Sequence, residues 1–205
     1  MRRQKTPRPT FDLEADVRQR AGDIGLLVAG VDEVGVGALA GPVVAAAVVL
    51  GGGEPWLVML DDSKRLSRAV REEVRDLIVA EAPVFGVGFA DSELVDEVGI
   101  AAARRRAVVA AFAECRRAVA AGFALAAVVD DRRLAYCRKE LGGAASIFAD
   151  HADQRSLSVA AASIVAKTWR DAYMRLAADK WPVYDFENNV GYGTPRHLAA
   201  LAEHG

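Results

Sequence analysis

The strongest constraint on the fold is a stretch of the chain without any charged side chain, residues 34–53, which has acidic residues on both sides. Its length is close to that needed to cross a bilayer. However, it contains six glycines and Pro42, and neither an aromatic girdle nor a basic flank accompanies it. The apolar runs at 26–32 and 43–50 are instead typical of two buried strands joined by a glycine loop.

The rest of the chain alternates helical and strand patterns. Ser67 can cap a helix whose apolar residues recur at i, i+4, i+7 and i+8, and Pro83 ends it. Further segments follow in order: a strand at 84–90, an Ala-rich helix at 99–121, strands at 125–129 and 145–149, a helix at 157–180 and a short helix from about Pro195. The arginines of the Ala-rich helix, Arg104 included, are expected to lie partly on its exposed side. Because no linker or repeat divides the chain, we predict one α/β domain over residues 26–205, with a mixed sheet flanked by helices, a helical C-terminal portion, and residues 1–25 as a flexible extension.

Composition excludes several classes of protein. The 205 residues carry 26 Lys plus Arg against 28 Asp plus Glu, so the chain does not coat nucleic acid by bulk positive charge. Residues 11–20 are polar, unlike the apolar core of a secretory signal. Two distant cysteines form no metal or redox motif and favour a cytoplasmic protein. The basic residues near the N-terminus are typical of a solvated tail, namely Arg2, Arg3, Lys5 and Arg8.

Acidic pairs end two of the predicted strands: Asp32 with Glu33, and Asp130 with Asp131. Single acidic residues at such positions are often turn residues, but functional sites in α/β sheets gather at strand ends. If the two pairs converge, mutual repulsion raises their pKa values unless a cation neutralises them. Because carboxylate oxygens without Cys or His partners select Mg²⁺ or Mn²⁺, the pattern indicates either such a metal site or two solvated turns.

The glycine loop at 35–40 allows a second interpretation. It matches the G-x-G-x-x-A dinucleotide fingerprint, with acidic residues about 20 positions further on. That motif needs a helix to begin at the glycines, whereas the following Gly-Pro pair leads into a strand pattern. Asp32 and Glu33 would also repel the phosphates, so the sequence favours the strand over the dinucleotide site.

Four ordered motifs are similar to those of the ribonuclease HII family. The run at 28–50 resembles the family signature, and Asp-Ser-Lys at 62–64 resembles its D-S-K-x-L-S element. Residues 156–171 resemble its long helix, and Gly-Tyr-Gly-Thr at 191–194, followed by His197, completes the set. Because this resemblance extends over about residues 26 to 204, it implies a ribonuclease H-like fold.

The resemblance also implies an activity and a set of site residues. The family hydrolyses the RNA strand of RNA:DNA duplexes, including at ribonucleotides embedded in DNA, with two Mg²⁺ or Mn²⁺ ions, and leaves 3′-hydroxyl and 5′-phosphate ends. A monomer acting on such duplexes is therefore expected. By motif position, the catalytic and metal-binding carboxylates are Asp32, Glu33, Asp130 and Asp153. The residues that contact the ribose are Gly35, Val36, Gly37 and Tyr192, and those that contact phosphates are Ser63, Lys64, Ser163 and Lys167.

The chain departs from the family pattern at several positions near the site. Val36 occupies the position of a usual arginine, and Asp131 that of a usual glycine. The loop at 132–152 lacks the family's proline-glycine pattern, so that Asp150 competes with Asp153 for the role of fourth ligand. A basic stretch before Gly191 is also missing. These losses support an alternative in which the chain is a catalytically weakened member that binds nucleic acid or a protein.

Overall fold

The computed structural model describes residues 8–205. Within this range, a five-stranded mixed sheet forms the centre. Its strands are β1 Leu27–Val34, β2 Val43–Val49, β3 Val84–Ala90, β4 Leu125–Asp130 and β5 Ile147–Ala149, in the spatial order β3-β2-β1-β4-β5. β2 pairs antiparallel with β1 and β3, whereas β4 pairs parallel with β1 and β5. The predicted mixed sheet is confirmed.

Helices cover both faces of the sheet. They are α1 Asp12–Ala21, α2 Arg68–Glu81, α3 Ser92–Val98, α4 Ile100–Ala118, α5 Leu157–Lys180, α6 Phe186–Asn189 and α7 Pro195–His204. α4 packs on one face and α5 with α2 on the other, each over its own apolar core. The last two helices extend α5, which confirms the helical C-terminal portion.

Alternating side chains of the buried strand β2 supply both cores. Val43 and Ala45 belong to the core beneath α4, whereas Ala46 and Val48 belong to the core beneath α5. Gly30 in β1 allows α5 to lie directly on the sheet, because a Cβ at this position would be 2.0 Å from the carbonyl carbon of α5 residue Ser158. This close contact brings α5 next to the end of β1.

Most of the predicted elements are confirmed. The long helix has its predicted bounds, Leu157–Lys180, and Ser67 caps α2 by accepting a hydrogen bond from the Val70 amide. The short helix α3 was not predicted. The dinucleotide interpretation is wrong, because the glycine loop leads into strand β2 and no helix begins there. Each helix of the described range is too short or too polar to cross a bilayer.

The structure corrects the predicted flexible extension over residues 1–25. Residues 1–7, which include most of the basic tail, lie outside the described residues. In the remainder, Thr10 forms a bridge with Ser156, and α1 buries Leu13 and Val17 against β4 and α5. Residues 10–21 therefore belong to the folded domain, because the apolar side chains of α1 complete a core that residues 26–205 leave open.

Candidate active site

The parallel pairing of β1 with β4 brings the two acidic pairs together. Val31 is the register partner of Val129, so that Asp32 and Asp130 occupy the next positions of adjacent strands. Both strands run in the same direction, and their carboxyl ends meet at one edge of the sheet. The convergence anticipated from the sequence therefore occurs, and the two pairs are not isolated turns.

Strand alternation divides these four residues between the two faces of the sheet. Asp32 shares a face with Val34 of the α5 core, and both Asp32 and Ser163 of α5 line the same cavity. Glu33 points to the opposite face, where Arg104 of α4 donates a hydrogen bond of 2.6 Å to its Oε1. Adjacent carboxylates thus have different surroundings, one beside a hydroxyl and one beside a cation.

A cavity of about 280 Å³ opens at this edge of the sheet. Every residue predicted for the site lines it except Gly35, Val36 and Gly37 of the glycine loop. Its walls are formed by Asp32, Glu33, Val34, Ser63, Lys64, Asp130, Asp131, Arg133, Asp153, Ser163, Lys167 and Tyr192. Residues from six separate parts of the chain therefore meet in one place.

Burial and mutual repulsion keep four carboxyl groups of this cavity from ionising readily, those of Asp32, Glu33, Asp130 and Asp153. Burial, with the charges of Glu33 and Asp130, raises the pKa of Asp32 well above its usual range. Burial raises the pKa of Glu33 to about 7 even though Arg104 opposes the shift. Burial also raises the pKa of Asp130 and, with the charge of Asp130 added, that of Asp153. A bound cation would relieve this repulsion.

Arg104 is buried beside the carboxylates, which the sequence did not predict. Although it was expected partly on the exposed side of its helix, it is 8% exposed and its Nη2 bridges Glu33 and Asp131. Helical periodicity could have predicted this burial, because Arg104 lies on the same buried face of α4 as Val108 and Ala111. What the sequence did not reveal was the acidic partner across the sheet.

The structure separates the two competing aspartates. Asp153 is 4% exposed, lines the carboxylate cavity, and has a carboxylate oxygen, Oδ1, without a hydrogen-bond partner in the described residues. Asp150 is largely exposed and forms an ion pair of 2.6 Å with Arg132 outside that cavity. This placement favours Asp153 as the fourth carboxylate.

The donor set fits a hard divalent cation. Glu33 Oε2 and Asp153 Oδ1 are buried without a hydrogen-bond partner in the described residues, and an unpaired buried oxygen is costly unless an ion binds it. The remaining donors are also carboxylate oxygens, which Mg²⁺ and Mn²⁺ prefer. Among residues 8–205, no three acidic, histidine or cysteine side chains converge as ligands of one ion. Ion binding therefore requires side-chain adjustment within the cavity.

The predicted phosphate-binding residues line the cavity with existing partners. The hydroxyl groups of Ser63 and Ser163 are 3.0 Å apart and hydrogen-bond each other. Lys167 forms an ion pair of 2.6 Å with Asp171, one turn further along α5. The side chain of Lys64 is exposed. Of the two lysines, Lys64 is the one whose charged group is more accessible to a ligand.

One buried arginine connects the glycine loop to the segment of Tyr192. Arg170 of α5 is 0% exposed and donates hydrogen bonds to the carbonyl groups of Ala40, Pro42 and Val190. Its guanidinium also lies 5.3 Å from the centre of the Tyr192 ring. Gly35 accommodates this side chain, since a Cβ there would be 2.5 Å from Arg170 Nε. Arg170 thus connects the two elements that were predicted to contact the ribose.

Comparison with known proteins is consistent with this geometry. The chain is 43% identical over 174 residues to ribonuclease HII of Listeria monocytogenes, an alignment that covers 85% of this chain and 62% of that protein. The fold superimposes with a TM-score of 0.69 on ribonuclease HII from Archaeoglobus fulgidus, which is 30% identical and was solved in a complex with PCNA, over 87% of this chain and 88% of that one. It also superimposes with a TM-score of 0.70 on ribonuclease H2 from Pyrococcus horikoshii, at 26% identity and with 87% of each chain covered. The family model of ribonuclease HII matches residues 29–205, and the chain belongs to this family.

Proposed function

We propose that this chain is a Mg²⁺- or Mn²⁺-dependent endoribonuclease that hydrolyses the RNA strand of RNA:DNA duplexes, including at single ribonucleotides embedded in DNA. The observation that carries the proposal is the convergence of Asp32, Glu33, Asp130 and Asp153 on one cavity that Tyr192 also lines. The two cysteines of the chain are free, buried thiols, which suits the cytoplasmic location included in the proposal.

In the proposed reaction, a water molecule supplies its hydroxyl group to the phosphorus and a proton to the departing O3′, so that the P–O3′ bond breaks. The products are a 3′-hydroxyl and a 5′-phosphate end. Asp32, Asp130 and Asp153 would supply metal-binding oxygens from the α5 side of the sheet, and Glu33 would supply its free Oε2 from the α4 side. When bound, two divalent ions activate the attacking water and neutralise charge on the leaving oxygen.

The ribose would be recognised between the glycine loop and Tyr192. Glycine has no side chain, so the main chain at Gly35 and Gly37 can approach a 2′-hydroxyl, the group that distinguishes RNA from DNA. The Tyr192 ring lines the cavity and can pack on the neighbouring sugar. Arg170 would keep these two elements at a constant separation during binding.

The decisive experiment incubates the purified chain with a DNA duplex that contains one ribonucleotide. We expect cleavage with Mg²⁺ or Mn²⁺ and none with EDTA. Asp130→Asn should lose more than the roughly 10- to 100-fold that changes outside a metal's ligand shell cost. Asp150→Asn is the matched control and should remain within about two-fold of the unchanged protein, because its exposed ion pair contributes little.

Two outcomes would contradict the proposal. Undiminished cleavage by Asp130→Asn would exclude the carboxylate cavity as the reaction centre. Binding of the duplex without cleavage under any of these metal conditions would favour the alternative of a catalytically weakened binding module.

A further inference from the structure

An exposed guanidinium lies at the rim of the carboxylate cavity. Arg133 lines this cavity, and its side chain is 83% exposed. Two further cations, Lys64 and Lys167, line it, but the Lys167 side chain is only 22% exposed. Arg133 and Lys64 are therefore the cations of the described cavity lining that can most readily reach a bound polyanion.

Asp131 fixes the position of Arg133 by contacts to its backbone amide and its side chain. Its carboxylate accepts hydrogen bonds of 2.8 Å from the Arg133 amide and of 2.8 and 3.0 Å from Arg133 Nε. The same carboxylate also binds Arg104, so two guanidinium groups share it. Although burial opposes the shift, hydrogen bonds from Arg133 and Arg104 lower the pKa of Asp131 below its usual range. One carboxylate facing two cations leaves Arg133 with charge available for a further anion.

The backbone at Asp131 indicates that these contacts compensate for strain. Its φ of 71° lies in the region that favours glycine, and an aspartate there costs on the order of 1 to 3 kcal/mol. The family usually has glycine at this position. An aspartate at this position therefore strains the backbone, and its carboxylate binds two arginines, Arg104 and Arg133.

The glycine loop offers no cation of its own. Val36, which occupies the usual arginine position, is partly buried and packs against the core beneath α4. A duplex in the cavity would thus lack a guanidinium from that loop, whereas Arg133 presents one from the segment after β4.

We propose that Arg133 is a phosphate-contacting residue for the nucleic-acid substrate and that Asp131 is the positioning residue that holds it. This inference rests on the proposed function, because it requires a duplex in the cavity. Arg133 contacts Asp131 through Nε and Nη2, so the rest of its planar guanidinium can donate to a phosphate while that ion pair is kept. The contact would position the duplex without reading its sequence.

The test measures binding of a fluorescently labelled RNA:DNA hybrid between about 50 and 200 mM salt, in Mg²⁺ and in an Asp130→Asn background that suppresses cleavage. Arg133→Ala should reduce the slope of log affinity against log salt by about one unit. Over that four-fold salt range, the parent should lose about four-fold more affinity than Arg133→Ala. Arg133→Lys should retain most of the slope, because a point charge still releases a counterion.

Arg132→Ala is the matched control. Arg132 is the neighbouring arginine, is 74% exposed and is paired with Asp150, but it does not line the carboxylate cavity. We expect its salt slope to equal that of the parent. Identical slopes for Arg133→Ala and Arg132→Ala, when the Asp130→Asn parent binds the hybrid and the unchanged chain cleaves it, would overturn the role of Arg133 alone. Absence of hybrid binding by the parent would overturn the proposed function as well.

Discussion

Among single residues, the buried carboxylates dominate the electrostatics of this molecule. Asp32 and Glu33 are adjacent in the chain, yet only Glu33 has an arginine partner. Burial raises the pKa of Asp32, Asp130 and Asp153, and raises that of Glu33 to about 7. The pKa values of these carboxyl groups in the unfolded chain are about 4. At a pH between the unfolded and the folded pKa values, the metal-free folded protein therefore binds more protons than the unfolded chain. Its stability should therefore fall as pH rises through this window.

Asp32→Asn tests this electrostatic strain directly. The amide cannot ionise, and its oxygen can still accept the 2.8 Å hydrogen bond from the Glu33 amide. In EDTA, the variant should be more stable than the unchanged protein at about pH 8, and the difference should shrink as the pH falls towards about 5, because the raised pKa of Asp32 increases the protonated share of its carboxyl group. Urea unfolding at the two pH values measures both free energies. A gain that is the same at both would contradict the raised pKa.

At the scale of secondary-structure elements, α5 organises the site from one side of the sheet. Gly30 admits the helix onto β1, and Ser163 and Lys167 follow one turn apart on the cavity side. Arg170 then connects the helix to the glycine loop and to Val190. One helix therefore sets the distance between the carboxylates and the elements proposed to contact the ribose.

Arg170→Lys should separate positioning from metal binding. A lysine cannot reproduce the three carbonyl contacts of the guanidinium, and each buried hydrogen bond to a charged group contributes about 1.5 to 3 kcal/mol. We expect a loss of about 2 to 4 kcal/mol in unfolding free energy. Cleavage at a single ribonucleotide should fall, whereas the Mg²⁺ concentration for half-maximal activity should stay the same.

Arg175→Lys is the control for this substitution on the same helix. Its guanidinium contacts only Glu72 among the described residues, at 3.1 Å, so the conservative change should alter neither measurement appreciably. A large shift in the Mg²⁺ requirement of Arg170→Lys would show that the arginine supports the carboxylates as well as the loop.

At the scale of the whole molecule, the N-terminal segment closes the fold around the start of α5. Glu14 of α1 is 1% exposed, and its Oε1 accepts hydrogen bonds of 2.7 Å from the Ser156 hydroxyl and 3.0 Å from the Ser158 amide. A carboxylate at the N-terminus of a helix also interacts favourably with the helix dipole. α1 therefore stabilises the helix that carries Ser163 and Lys167 of the cavity.

Glu14→Ala should reduce the unfolding free energy by about 1 to 3 kcal/mol, because it leaves the buried Ser158 amide without this acceptor. Asp16→Ala on the exposed face of the same helix is the control and should change it by less than about 0.5 kcal/mol. Chemical unfolding followed by circular dichroism measures both. Equal effects would mean that α1 contributes through its apolar side chains alone.

The order of strands and helices, the glycine loop and the acidic strand ends could be predicted because each is a local property of the sequence. Apolar periodicity predicted the bounds of α5, and motif position identified nine of the twelve residues that line the carboxylate cavity. The acidic strand ends alone left open whether the two pairs meet, and only the resemblance to the family implied that they share one site.

Only the tertiary structure decided how the charges of this protein are paired. The partners Arg104 and Glu33 are 71 positions apart, Arg170 and Pro42 are 128 apart, and Glu14 and Ser156 are 142 apart. Local periodicity shows that such a polar residue lies on a helix, but it does not identify the group that meets it across the core. Burying a charge without a partner is costly, so the fold that brings these partners together determines where each charged residue can be buried.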